Sequence, residues 1–286
     1  MTVSRSGFVA LVGRPNVGKS SLVNAMLGQK VTIVSDKPQT TRRRIHGVLT
    51  TPEAQIVFVD TPGLHKPVSA LGQRVNATAL ASADEVDVIC LVVDATQAYG
   101  SGDQWVVDNV GTRRDGVAFF VILNKCDIAG REKILKQLSA LSVLAADEYF
   151  PVSAKTGEGV PELISALVAA MPEGPQYYPD DDVSDTPEEE WVAELVREQL
   201  LAVMNDELPY SIATRVTEWE WPRVRCEIVV ERDSQKGMVI GKKGAILKLV
   251  GERARKQMKP GAFLELHVVV DKNWQQRADR VQRLGY

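Results

Sequence analysis

Gly13-Arg14-Pro15-Asn16-Val17-Gly18-Lys19-Ser20 follows directly on the apolar run Phe8 to Val12 and fits the pattern G-x-x-x-x-G-K-[ST]. Residues of these types at this spacing hold phosphate. The glycines let successive backbone N–H groups turn inward as an anion-binding nest, and a helix opening at Lys19 points its positive end at the same place. Lys19 reaches the β and γ phosphates of a nucleoside triphosphate, and Ser21 lines the same loop. Ser20 offers its hydroxyl to magnesium, a hard cation that prefers oxygen ligands. Chance matches to eight residues occur in unrelated proteins, so the rest of the chain has to supply partners.

It does so in order. The apolar strand ending Ile56-Val57-Phe58-Val59 closes on Asp60, forty residues after Ser20 and just before Thr61-Pro62-Gly63. Asp60 reads as the carboxylate behind the metal, and Gly63 as a backbone N–H donor to the γ-phosphate. Asn124-Lys125-Cys126-Asp127 closes the run Val117 to Leu123, and Ser153-Ala154-Lys155 follows Phe150-Pro151-Val152. These two motifs select guanine. A carboxylate at Asp127 accepts from the ring N–H and exocyclic amine together, a donor pair that adenine lacks. Asn124 ties this loop to the phosphate loop, the Ala154 N–H suits the guanine carbonyl, and Lys125 and Lys155 lay their stems along the faces of the base. Ser35 to Arg42 occupies the position of a first switch loop, in which Thr41, or else Thr40, joins the magnesium. Lys19, Thr41 and Gly63 are thus the candidate catalytic groups, and Ser20, Thr41 and Asp60 the candidate metal ligands.

The order and spacing resemble the translation-factor-related GTPases, with GTP or GDP and Mg2+ as cofactors. One departure is informative: Leu64 stands where many of them carry a glutamine that orients the attacking water. Slow intrinsic hydrolysis follows, with help from a partner, the switch backbone or a monovalent cation. The resemblance implies potassium, with Asn16 as its ligand.

Apolar runs at 8–12, 56–59, 88–93, 117–123 and 149–152 alternate with helical segments, which predicts an α/β fold: a mostly parallel sheet with helices on both faces. The nucleotide sits at the carboxyl ends of its strands. At 286 residues the chain exceeds one such domain. The net charge of −3 hides an asymmetry, because Asp180 to Glu190 carries seven acids and no base while Lys236 to Lys259 carries eight bases and one acid. Cys90, Cys126 and Cys226 lie far apart, as do His46, His65 and His267, so zinc is not expected and a reducing cytoplasm fits. No apolar run approaches a membrane span, and the N-terminus has no signal-peptide core. Pro172-Glu173-Gly174-Pro175 and the acids after it read as a solvated linker over 173–186, which divides a domain at 5–172 from another at 187–286. Thr186 as N-cap, Pro187 at the first helical position and Glu189 closing a capping box predict a helix through about Asn205.

Beyond it, strands are expected at Ile212 to Trp219, Arg223 to Val230 and Phe263 to Val270. Between the last two lies Ile240-Gly241-Lys242-Lys243-Gly244-Ala245-Ile246. Glycines without side chains let a nucleic-acid backbone come close, Lys242 and Lys243 meet phosphates, and Ile240, Ile246 and Leu249 floor a groove for unstacked bases. Lys248 and Arg253 extend the basic surface. In an α-β-β-α-α-β order this resembles the type II KH module, a small α+β domain that clamps about four nucleotides of single-stranded RNA. Trp219, Trp221 and Trp274 receive no role in base stacking.

The two modules together, joined through Pro-Glu-Gly-Pro and entering the second with Asp206-Glu207-Leu208-Pro209-Tyr210-Ser211, resemble the Era family of bacterial ribosome-assembly GTPases over nearly the whole chain. That resemblance implies binding to the 3′ end of small-subunit ribosomal RNA during maturation of a 30S-type subunit; a monomer is expected. It also implies a cytoplasmic location with peripheral contact to the inner face of the membrane. GTP and magnesium would order 34–44 and the segment after Gly63, and RNA would bind tightly in that state. The alternative is a regulatory GTPase whose C-terminal domain docks a protein or membrane.

Overall fold

A computed structural model describes residues 5–286 apart from 66, 68, 112–114 and 206–207, so Asp206 and Glu207 lie outside the described residues. The chain divides into two compact units, the first comprising 1–34, 41–66 and 75–185, and the second 35–40, 67–74 and 186–286.

The first unit is built on β1 (Arg5–Val12), β2 (Ile45–Thr50), β3 (Ala54–Asp60), β4 (Val88–Asp94), β5 (Ala118–Asn124) and β6 (Glu148–Pro151). They form one sheet in the order β2-β3-β1-β4-β5-β6. All neighbours are parallel except β2, which pairs antiparallel with β3. β2 was absent from the sequence reading because His46, Gly47 and Thr50 interrupt its apolar pattern. β3 and β4 are buried at every residue, as strands covered on both faces must be. Alternate residues of β1 feed two cores. Val9 and Leu11 join one that includes Leu22, Leu163 and Leu167, from α1 (Lys19–Leu27) and α5 (Val160–Ala170). Ala10 and Val12 join the other, to which α2 (Ala70–Ala81), α3 (Ser101–Val110) and α4 (Arg131–Leu141) contribute Ala79, Val106 and Leu141. Helices thus cover both faces, and strand ends carry the motifs.

The segment 173–185, expected from its prolines and acids to be a solvated linker, is mostly exposed but is also fastened along its length. It belongs to the first unit. Val48 N–H donates to the Val183 carbonyl at 2.9 Å, and Gly47 bridges Ser184 in antiparallel fashion, so the strap covers the open edge of β2. Gln55, fully buried, accepts from the N–H groups of Tyr177 and Tyr178 at 2.8 and 2.9 Å and donates to the Tyr178 carbonyl at 2.8 Å. Asp185, at the end of the strap, accepts from the Tyr178 hydroxyl at 3.0 Å and sits 2.7 Å from His46 Nδ1. Backbone groups at a sheet edge need partners whatever the side chains prefer, and that demand overrides the polar composition.

In the second unit, α6 (Glu188–Val203) has Pro187 at its cap position, one residue later than the Thr186 expected there. The helix also ends before Asn205. After the short α7 (Leu208–Ser211) come β7 (Ala213–Glu220), β8 (Arg223–Val230), α8 (Asp233–Ile240), α9 (Ala245–Arg255), β9 (Phe263–Val270) and α10 (Ala278–Arg283). β8 is central, antiparallel to β7 and parallel to β9. Its buried Cys226, Ile228 and Val230 meet Leu195, Leu200, Val239 and Val250 from α6, α8 and α9. Trp274 lies wholly inside this unit and donates to the Ser211 carbonyl at 3.0 Å, which removes it from any surface.

Candidate nucleotide site and nucleic-acid surface

β1 ends at Val12 and α1 starts at Lys19, so Gly13 to Gly18 form a tight loop at the carboxyl end of the sheet. Gly18 takes the left-handed cap position of α1 at φ 97°, no side chain caps the helix, and its first turn has no acid. Its positive end therefore stays available to an anion. Asn16 also has positive φ, at 64°. The Lys19 ammonium is buried inside the loop and donates to the carbonyls of Gly13 and Arg14, each at 3.0 Å. Burial lowers its pKa to about 8, with the Asp60 charge pulling the other way. Gly63 is packed against this loop so closely that a Cβ would lie 2.7 Å from Pro15 Cα, which is why no other residue fits there.

Ser20, Thr41 and Asp60 come together. The Ser20 and Thr41 hydroxyls are 2.8 Å apart. Thr40, the alternative, turns its hydroxyl to the Lys37 carbonyl at 2.7 Å. Asp60 is fully buried; its Oδ2 accepts from Thr32 at 2.9 Å, while Oδ1 has no hydrogen-bond partner among the described residues. Burial raises its pKa, opposed by the nearby Ser20 hydroxyl, the Lys19 charge, and the Thr32 and Thr41 hydroxyls. A buried carboxylate oxygen left unpartnered beside two hydroxyls is an all-oxygen donor set that suits Mg2+. Thr32 was missed by the sequence reading, since it belongs to no motif.

The base-selecting loops are cross-tied. Asn124 donates to the Val17 carbonyl at 2.9 Å, linking the two loops as expected. Its Oδ1, however, accepts from the Ala154 N–H at 3.0 Å, so the donor expected to face the guanine carbonyl is engaged by Asn124 instead. Asn124 is buried, and a buried amide oxygen takes the nearest donor. Asp127 is exposed and accepts from Ser153 Oγ at 2.8 Å. The Lys125 ammonium bridges the Asn16 carbonyl and Asp94 Oδ2, both at 2.7 Å, while Lys155 is exposed. Burial alone would raise the Asp94 pKa, but bonds from Lys125 and Thr96 outweigh it and hold the carboxyl below its usual range. Arg14 is fixed by Asp103 at 2.8 Å. Neither acid carried a motif; Asp94 was readable only as an acid closing an apolar strand. Leu64 is buried in the apolar core shared by Val12 and Leu91, with its N–H on the Gly13 carbonyl.

In the second unit, Gly241, Lys243 and Gly244 all have positive φ, at 72°, 53° and 77°, and they turn the chain sharply between α8 and α9. A Cβ at Gly241 would strike Ile246 at 2.7 Å. Lys242, Lys243, Lys248 and Arg253 are exposed, and Ile240 and Ile246 are half-buried beside them. Lys248 makes only a 3.9 Å pair with Glu252 one turn along. A backbone without side chains at Gly241 and Gly244, flanked by cations over apolar residues, is what a phosphodiester chain with unstacked bases requires.

Residues 8–125 match a family model described as 50S ribosome-binding GTPase, and 207–275 match that of the KH domain. The chain is 46% identical over 301 residues to GTPase Era of Mycobacterium bovis (strain BCG / Pasteur 1173P2), covering 100% of both chains. To GTPase Era of Mycobacterium avium (strain 104) it is 45% identical over 300 residues, again covering 100% of both. Among solved structures it is similar to Era in complex with MgGDPNP and nucleotides 1506-1542 of 16S ribosomal RNA, with 36% identity, a TM-score of 0.94 and 99% of each chain covered. A variant of Aquifex aeolicus Era bound to GDP.AlF4- gives 35% identity, the same TM-score and the same coverage. With this identity along its whole length and a P-loop GTPase domain followed by a KH domain, the chain belongs to the Era family of GTPases.

Proposed function

We propose that this chain is a GTP-hydrolysing switch that binds the 3′ end of small-subunit ribosomal RNA during assembly of the small subunit. What carries the reading is the exposed Gly241-Lys242-Lys243-Gly244 turn, in a chain whose relative was solved with MgGDPNP and a 16S ribosomal RNA segment. Gly13 to Ser21 cradle the phosphates, Lys19 meets the β and γ oxygens, and Gly63 donates its N–H to the γ-phosphate. Ser20, Thr41 and Asp60 are the oxygen set for Mg2+, which supplies charge neutralisation at the phosphates. Asn124, Lys125, Asp127, Ser153, Ala154 and Lys155 frame guanine. Because Leu64 faces the core, orienting the attacking water falls to the switch backbone, a partner, or potassium held at Asn16. Ile240, Gly241, Lys242, Lys243, Gly244, Ile246, Lys248 and Arg253 receive RNA. A cytoplasmic location and peripheral membrane contact belong to the same reading, and no described helix is long and apolar enough to cross a membrane.

The test is the affinity of GTP-analogue-loaded protein for a single-stranded fragment of the small-subunit RNA 3′ end against a scrambled one, at two salt concentrations. Selective binding that weakens with salt, and that Lys242→Asp with Lys243→Asp reduces by about a hundredfold or more, is expected. Binding indifferent to sequence, or unmoved by the double reversal, would leave a GTPase whose second unit serves another partner.

A further inference from the structure

Thr40 and Thr41 are consecutive residues with different partners. Thr41 offers its hydroxyl to Ser20, 2.8 Å away in the first unit. Thr40 falls in the second unit with the rest of 35–40, where its backbone carbonyl accepts from the Arg197 guanidinium. Arg197, on α6, is completely buried. Glu194, one turn back, grips it with both oxygens, through Nε at 3.0 Å and through Nη2. Burial disfavours the Arg197 charge, but Glu194 more than restores it, so the cation persists without water around it.

A guanidinium buried this way is costly unless its donors are used, and Nη1 has no hydrogen-bond partner among the described residues. Apolar side chains of similar volume would serve packing at least as well. What they could not supply is a donor for the Thr40 carbonyl. That carbonyl belongs to the peptide unit that continues into Thr41, and peptide planarity passes its orientation to the Thr41 Cα. The Thr40 side chain is tied locally as well, to Lys37.

From this geometry we infer that Arg197, held by Glu194, is a positioning residue for GTP hydrolysis: it fixes the Thr40 carbonyl and so sets where Thr41 presents its hydroxyl to the metal. The inference rests on the reading of Thr41 as the switch threonine. Arg197 sets that position without touching nucleotide or metal.

The experiment uses the full chain with Arg197→Lys, with the pair Glu194→Leu and Arg197→Met, and with Thr41→Ala as reference. The readouts are melting temperature, GDP affinity, kcat and KM for GTP, and the Mg2+ concentration giving half-maximal GDPNP affinity. The paired variant, which leaves no orphan charge, should keep the fold and hold GDP affinity within about twofold. Its kcat should fall about tenfold, and the Mg2+ requirement should rise in step with that of Thr41→Ala. Arg197→Lys should recover part of the loss. A folded paired variant with unchanged kcat and Mg2+ requirement would overturn the inference while leaving the Thr41 reading intact. Thr41→Ala with no Mg2+ effect would remove the reading beneath it. Should both Arg197 variants fail to fold, hydrogen exchange on the unmodified protein decides: peptides over 36–44 and 190–200 must both change protection between GDP and GDPNP, and identical exchange at 190–200 rejects the coupling.

Discussion

Asp60 and Asp94 close the two strands that flank β1, yet their surroundings drive their carboxyls in opposite directions. Asp60 has hydroxyl neighbours and one oxygen unpartnered, so burial dominates. Asp94 has the Lys125 ammonium and the Thr96 hydroxyl and N–H, so it is held ionised. Only the first was legible in the sequence, because Asp-x-x-Gly at a fixed distance from a phosphate loop is a motif and an acid before Ala95-Thr96 is not. Asp94→Asn should lower stability by about 1 kcal/mol near neutrality, after allowance for solvent near the lysine. A depressed folded-state pKa means that the contribution is intact above the ordinary carboxylate value of 3.8 and is lost as pH falls through the lower folded value. Urea unfolding of parent and variant should therefore show a constant gap from pH 7 to 4.5 that closes only in stronger acid; a gap that widens on acidification would reject this account.

Among the elements, motif-bearing pieces were read well and unmotivated ones poorly. β8 and β9 begin and end where their apolar patterns do, and the Gly241 to Gly244 turn falls between α8 and α9. β2 and the 173–185 strap escaped because each is defined by what the other leaves unpaired at the sheet edge, a relation between distant segments that local composition does not express. Gln55 is the fastening. Gln55→Ala would strip the acceptor from two partly buried N–H groups and should cost about 2–4 kcal/mol. Faster hydrogen exchange over 172–185, with nucleotide affinity unchanged within about twofold, would mark the loss as local. Exchange confined to the parent's rate would mean that the strap's other contacts, among them Val48 with Val183 and Ser6 with Pro175, hold it without Gln55.

Taken whole, the molecule carries its two chemistries on separate hydrophobic cores. The double reversal at Lys242 and Lys243 should accordingly leave GTP-analogue affinity and melting temperature close to the parent's while RNA binding collapses; a matching loss of nucleotide would show that the two surfaces are not separable. Domain order and fold class were legible because each module advertises itself with a glycine-bearing turn at a helix start. The dependence of one peptide unit on a buried arginine 157 positions away was not, since α6 carries Arg197 among residues that read as an ordinary amphipathic stripe. The inward orientation of Leu64 also bears on substitution. Its neighbours are Val12, Leu91 and other core residues, so a glutamine introduced there would bury an amide among aliphatic groups, at a cost of about 1–3 kcal/mol, before it could reach any water. Single substitutions at this position therefore act on the packing of the sheet before they act on any water.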